Sequence, residues 1–263
     1  MKIFVVANQK GGVGKTTTVM NLGAALALKG KKVLLIDLDP QANLSSGLGF
    51  TQQFDRESWT STDETPYKSI YDVLINKELI SSVFVATSTP NLFLVPSHLS
   101  LAGAEIEMVN LISRETLLKK AIESCNEKFD YIIIDCPPSL GLLTINALCA
   151  SDKLLIPIQC EYFALEGLGQ LIETTKLVKG VNSSLKIGGV ILTMYDSRTK
   201  LSESVVKDVK DFFKDVAFKV IVPRNVRLSE SPSYGKTIFQ YDDKSTGAMA
   251  YKKLASEFIK RFS

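Results

Sequence analysis

The sequence predicts a three-layer, doubly wound α/β fold, a mostly parallel sheet with helices on both faces. Three observations carry this. Short β-branched apolar stretches recur along the chain, as in Val33-Leu34-Leu35-Ile36 and Tyr131-Ile132-Ile133-Ile134. They are apolar throughout rather than alternating, as strands covered on both faces must be. The intervals between most of them carry helix-period patterns, and strands alternating with helices imply parallel pairing.

In chain order, Lys2–Ala7 is the first expected strand, followed by the glycine-rich run Gln9-Lys-Gly-Gly-Val-Gly-Lys-Thr-Thr17 and an amphipathic helix ending near Gly30. Further strands are expected at Val33–Leu38, Asp130–Asp135, Lys153–Ile158, Ile187–Thr193 and Phe218–Val222. Between the second and third of these strands, residues 51–66 form a polar insertion with Trp59 as its one large apolar anchor, expected to be a surface loop. At the end of the chain Tyr251, Leu254, Ala255, Phe258, Ile259 and Phe262 repeat at helical spacing. Such a stripe is expected of a helix packing on the core, although interspersed lysines and an arginine also suit a membrane-surface helix.

A length of 263 residues suits one large α/β domain spanning 1–263. The composition, 45% hydrophobic and 22% charged, is that of a globular protein, and no apolar run approaches the ~18 residues of a membrane span. No secretory leader is recognisable, so a cytoplasmic protein is expected. The four cysteines, at 125, 136, 149 and 160, show no zinc-like spacing and are expected as free thiols. His98 is the only histidine, which excludes histidine triads and multi-histidine metal centres. The net charge of +3 is unevenly spread, with acids in excess through residue 175 and bases in excess beyond it. Such asymmetry points to an anionic partner.

Strand, glycine loop and helix in that order form a phosphate-binding P-loop. Its backbone N–H groups, across Gly11, Gly12, Val13, Gly14, Lys15, Thr16 and Thr17, point at phosphate oxygens, with Lys15 on the β/γ-phosphates and Thr16 on Mg²⁺. The usual first glycine of this motif is replaced by Gln9, and Lys10 adds a second cation at the start of the loop.

Two other strand ends carry acids. Ile36-Asp37-Leu38-Asp39 places two carboxylates on one side of a strand end, suited either to holding Mg²⁺ through water or to orienting an attacking water. Ile134-Asp135 has the apolar-strand-then-acid form of a Walker B site, with Asp135 on the metal. A lysine, a hydroxyl, a metal and a water-orienting acid suffice for phosphoryl transfer, which needs positioning and charge neutralisation rather than a covalent nucleophile. Turnover is expected to be slow without an activating partner.

Across nearly its whole length the chain resembles the ParA/Soj chromosome- and plasmid-partition ATPases. The resemblance rests on Lys10-Gly-Gly-Val-Gly-Lys-Thr-Thr17, Asp37-Leu-Asp-Pro-Gln-Ala-Asn43, Leu101-Ala-Gly-Ala-Glu-Ile106, Asp135-Cys-Pro-Pro-Ser-Leu-Gly141, Gln159-Cys-Glu-Tyr162 and Pro223-Arg-Asn-Val-Arg-Leu-Ser-Glu230. It implies a deviant Walker A ATPase using ATP and Mg²⁺ and forming an ATP-dependent sandwich homodimer. In that dimer Lys10 reaches the partner's phosphates and Gly11 lies close to the opposing loop. It further implies that Asp39 positions the hydrolytic water, and that Pro223 and Asn225 lie near the adenine. The resemblance also implies that the ATP state binds double-stranded DNA without sequence preference through Arg198 and Arg227, on the nucleoid, and that a ParB-like protein stimulates hydrolysis. With no helix-turn-helix segment ahead of Met1, operator-specific repression is not expected. The 51–66 insertion is longer than the loop usual in that family. The competing reading is a MinD-like membrane-associated positioning ATPase, whose functional element would be the final helix.

Overall fold

A computed structural model describes residues 1–50, 67–162, 164–166 and 168–262. The expected loop insertion at 51–66 lies outside them. Seven strands form one sheet: β1 (Lys2–Val6), β2 (Val33–Asp37), β3 (Val85–Ala86), β4 (Leu92–Val95), β5 (Tyr131–Asp135), β6 (Lys153–Gln159) and β7 (Lys186–Thr193). Their order is β3-β4-β2-β5-β1-β6-β7, and every pairing is parallel except β3 with β4.

The side-chain period of two divides each central strand between two cores. Val5, Leu34, Ile36, Ile132 and Ile134 face one, while Phe4, Val6, Val33, Leu35 and Ile133 face the other. Helices including Leu101–Met108, Leu117–Glu123, Leu142–Ala150 and Lys200–Phe213 cover the first face. Helices Lys15–Leu28 and Thr246–Phe262 cover the second. Both faces being dry explains why the strands are apolar throughout.

The final helix resolves the ambiguity of its apolar stripe. Tyr251, Leu254, Ala255 and Phe258 are buried, and the rings of Phe258 and Phe262 pack tilted and edge-on against Phe4, with centroids 4.6 and 4.9 Å from it. The stripe is core, as expected of a globular helix. No helix among the described residues is long and apolar enough to cross a membrane. All four cysteines are free thiols, and Cys136, Cys149 and Cys160 are buried.

Two differences from the sequence-based expectation concern the sheet. Phe218–Val222 is not a strand. It runs beside β7 through isolated bridges, Val190 with Ala217 and Tyr195 with Pro223, because the Glu257 carboxylate accepts the N–H groups of Lys219 and Val220 that a ladder would need. Conversely β3 and β4, too short to stand out as apolar runs, extend the sheet beyond β2.

Candidate nucleotide site

The parallel sheet brings the C-terminal ends of β1, β2 and β5 to one edge, where ligands bind in such folds. β1 passes into the glycine loop at Ala7, and the loop enters its helix at Lys15. Gly14 has φ +86°, a left-handed conformation open to glycine without strain, and its carbonyl accepts the Thr18 N–H. Two side chains outside the motif fix the loop. The Asn8 amide donates to the Pro157 carbonyl at 2.8 Å while its oxygen accepts the Lys10 N–H at 3.0 Å. The Thr193 hydroxyl at the end of β7 donates to the Val13 carbonyl at 2.8 Å. Lys15 is buried, its ammonium donating to the Lys10 carbonyl at 3.1 Å. Burial lowers its pKa from the ordinary lysine value, with the Asp135 and Asp39 carboxylates working the other way.

In-register pairing of β2 with β5 sets Asp37 opposite Asp135. Asp37 is fully buried and already engaged: it accepts the Ser45 N–H at 2.8 Å, the Ser45 hydroxyl at 2.6 Å and the Asp39 N–H at 3.2 Å. Burial pushes its pKa up to about 6 against these hydrogen bonds. Asp135 is equally buried, yet neither of its oxygens has a hydrogen-bond partner among the described residues. Burial, and then the Asp37 charge, raise its pKa well above the usual carboxylate value, while the Thr16 hydroxyl and the Lys15 ammonium oppose them. Asp39 accepts the Gln41 N–H at 2.9 Å and faces the loop.

An orphaned buried carboxylate beside a threonine hydroxyl is a donor set that fits Mg²⁺. That ion is usually held by one or two carboxylates together with substrate phosphates. No group of three or more His, Cys, Asp or Glu side chains among the described residues could hold a metal alone, so the phosphates would have to share in holding it.

Two contiguous hollows share Gly14, Thr17, Met194 and Ser229. The first, about 570 Å³, runs along the glycine loop and is lined by Gly11, Gly12, Lys15, Thr16 and Asp39. The second, about 210 Å³, is walled by Val222, Pro223, Asn225, Leu228 and Tyr251. Its apolar lining with a few polar groups is what a planar base needs. Asn225 also caps helix Val226–Glu230 by accepting the Leu228 N–H at 3.2 Å, and its amide donates to Thr246 Oγ1 at 2.7 Å.

Lys10 lies elsewhere. It lines a third hollow, about 540 Å³, with Glu161, Tyr162, Asp196, Arg198 and Arg224. There Arg198 meets Asp196 through two parallel contacts of 2.9 and 2.7 Å, and Arg224 pairs with Glu161 at 2.7 Å. Arg227 pairs with Glu230 at 3.0 Å and lies over the Tyr241 ring. Both candidate DNA-contacting arginines are exposed and both are ion-paired.

Sequence reasoning missed Ser45, Asn8, Thr193 and Met194. Ser45 was accessible in principle, as a hydroxyl at the start of the short helix after Asp37; Asn8 adjoins the loop in sequence but meets Pro157 only in the fold, and Thr193 and Met194 reach the loop only through the parallel crossovers.

Comparison with known proteins agrees with this geometry. Residues 1–187 match a protein family described as an AAA domain. The chain is 54% identical to the sporulation initiation inhibitor protein Soj of Bacillus subtilis, over 97% of each chain. It is 50% identical to the chromosome-partitioning ATPase Soj of Treponema pallidum, over 99% of this chain and 98% of that one. Among solved structures, cobyrinic acid a,c-diamide synthase from Mycobacterium smegmatis with bound ADP and magnesium superposes with a TM-score of 0.83. It is 38% identical, over 100% of this chain and 95% of that one.

Proposed function

Because this chain belongs to the Soj/ParA family of chromosome-partitioning ATPases, we propose that it is an ATP-driven switch for segregating a chromosome or plasmid. ATP binding drives sandwich dimerisation and sequence-independent binding to duplex DNA on the nucleoid; slow hydrolysis to ADP and phosphate, stimulated by a ParB-like partner, resets it.

The observation that carries this reading is the run from base-sized hollow to glycine loop to unpartnered acid. The base lies against Pro223 and Asn225, and the phosphates lie along the N–H groups of residues 11–17 with Lys15 on the β/γ oxygens. Thr16 and Asp135 would hold Mg²⁺, which would supply neutralisation of phosphate charge, and Asp37, clamped by Ser45, backs Asp135 from the neighbouring strand. Asp39, held by the Gln41 N–H at the cleft wall, orients the attacking water. The side chain of Lys10 is not part of its own phosphate cleft, which leaves it for the phosphates of a second protomer, and exposed Gly11 allows the opposing loop to approach. The ion pairs of Arg198 and Arg227 are exposed and therefore worth little, so a DNA phosphate can displace either carboxylate.

The test is binding to random-sequence duplex DNA and to anionic liposomes in parallel, with ATP or ADP, using Asp39→Ala to hold the ATP state. ATP-dependent DNA binding that Arg227→Ala abolishes is expected. Liposome binding without DNA binding would move the protein to the membrane-positioning class, a reading that the burial of the final helix's apolar stripe argues against.

A further inference from the structure

Asn8 stands where β1 leaves the sheet. The Ala7 N–H still donates to the Leu155 carbonyl at 3.2 Å, as in a parallel ladder, but the next β6 carbonyl on that side, Pro157, is taken by the Asn8 side-chain amide at 2.8 Å. Asn8 is buried, and its oxygen accepts the Lys10 N–H at 3.0 Å. An asparagine oxygen bonded to the N–H two residues on closes a local turn. Because the same side chain is tied to a neighbouring strand, the Lys10 peptide is fixed relative to the sheet and not only to its own loop. The N–H that meets Asn8 is not open to a phosphate, so the phosphate cradle begins at Gly11.

The Lys10 peptide serves two lysines. Its carbonyl accepts the Lys15 ammonium at 3.1 Å, and its Cα is the root from which the Lys10 side chain leaves for the hollow lined by Asp196, Arg198 and Arg224. Lys15 depends little on this peptide, because it opens helix Lys15–Leu28 and is itself buried. Lys10 depends on it far more. Among the described residues its ammonium has no hydrogen-bond or ion-pair partner, so the direction of a flexible four-carbon stem is set by its root.

We propose that Asn8 is a positioning residue for Lys10: it sets the direction in which Lys10 leaves the loop and so governs the contact of Lys10 with a second protomer, while adding little to nucleotide binding within one protomer. The inference rests on the dimer reading above.

The test saturates the full chain with Mg²⁺ and a non-hydrolysable ATP analogue and reads the dimer dissociation constant by sedimentation velocity, with ADP affinity read by calorimetry. A lost hydrogen bond weakens an equilibrium about 3–10-fold, and a symmetric dimer contains this one twice, so Asn8→Ala should weaken the dimer about 10–100-fold. ADP affinity should change by less than about 3-fold, below the effect of one such bond. Asn8→Ser should recover part of the dimer, because a serine hydroxyl accepts the N–H two residues on, more weakly, while giving up Pro157. A dimer of unchanged strength in Asn8→Ala, with Lys10→Ala monomeric, would overturn the role of Asn8 and leave the dimer reading standing. Equal losses of ADP affinity and dimer strength would overturn it in favour of a general loosening of the loop, and no recovery in Asn8→Ser would place the effect at Pro157 instead of Lys10. Should Asn8→Ala fail to fold, Asn8→Ser carries the test, with a weakened dimer and unchanged ADP affinity expected and an unchanged dimer overturning the proposal. An unsubstituted protein that stays monomeric with the analogue would remove the dimer reading and this role together.

Discussion

The Lys15 ammonium donates to the main-chain carbonyl of Lys10 at 3.1 Å, so the lysine of the phosphate loop ties together the loop's two ends. Its charge is held next to the space for phosphate at some cost in burial, which lowers its pKa. An anion in the cleft returns that cost.

Replacing this lysine removes both the loop closure and the phosphate contact. Lys15→Ala is expected to weaken ATP binding about 100-fold or more, the loss of a charge-assisted contact of about 3 kcal/mol. Calorimetric titration with ATP checks this, and an unchanged affinity would refute the assignment of Lys15.

The separate placement of Lys10 and Asp39 predicts separable defects. Asp39→Ala should retain ATP binding and dimerisation while hydrolysis falls by about 10²–10⁴-fold, the usual contribution of a positioned base. Lys10→Ala should retain ATP binding by the monomer but fail to dimerise. Sedimentation velocity with ATP, alongside phosphate release, separates the two, and a wild-type hydrolysis rate in Asp39→Ala would count against a water-orienting role.

Asp135 gives a stability prediction. Its carboxylate is fully buried beside a second acid, so Asp135→Asn should stabilise the nucleotide-free protein at pH 7 by about 1–3 kcal/mol, because the amide carries no charge to desolvate. The folded-state pKa lies above the unfolded value of 3.8, so the folded state holds the proton between the two and this group's contribution to stability falls as pH rises through that window. The advantage of the asparagine should therefore vanish below pH 3.8 and grow above it. Urea denaturation at several pH values measures it. Magnesium and ATP together should shrink the difference, since the cation stabilises the carboxylate only in the unsubstituted protein.

Gly189 tests the packing of the segment that does not become a strand. A Cβ at this position would lie 2.2 Å from the ring of the fully buried Phe218. Phe218 cannot yield freely, because Arg261 stacks on it with the guanidinium carbon 4.1 Å from its centroid. Gly189→Ala should destabilise the protein by about 1–3 kcal/mol through overpacking, with ATP affinity unchanged. Thermal unfolding would show this as a fall of about 2–4 °C per kcal/mol.

Five of the six expected strands, the glycine loop, the acids at the ends of β2 and β5 and the core face of the final helix were legible in the sequence, because each depends on local order. Apolar runs select strands buried on both faces, glycines permit the left-handed turn, and an acid closing such a run stands out against its apolar neighbours. Tertiary structure decided what those residues meet. Only the β2–β5 register sets Asp37 against Asp135, and only folding shows that Ser45 satisfies one carboxylate and leaves the other open. Phe218–Val222 has the composition of a strand, but Glu257, distant in sequence, takes its N–H groups. Local sequence sets the conformation that each segment can adopt, whereas hydrogen-bond partners and electrostatic neighbours come from segments far along the chain, and only the fold brings those together.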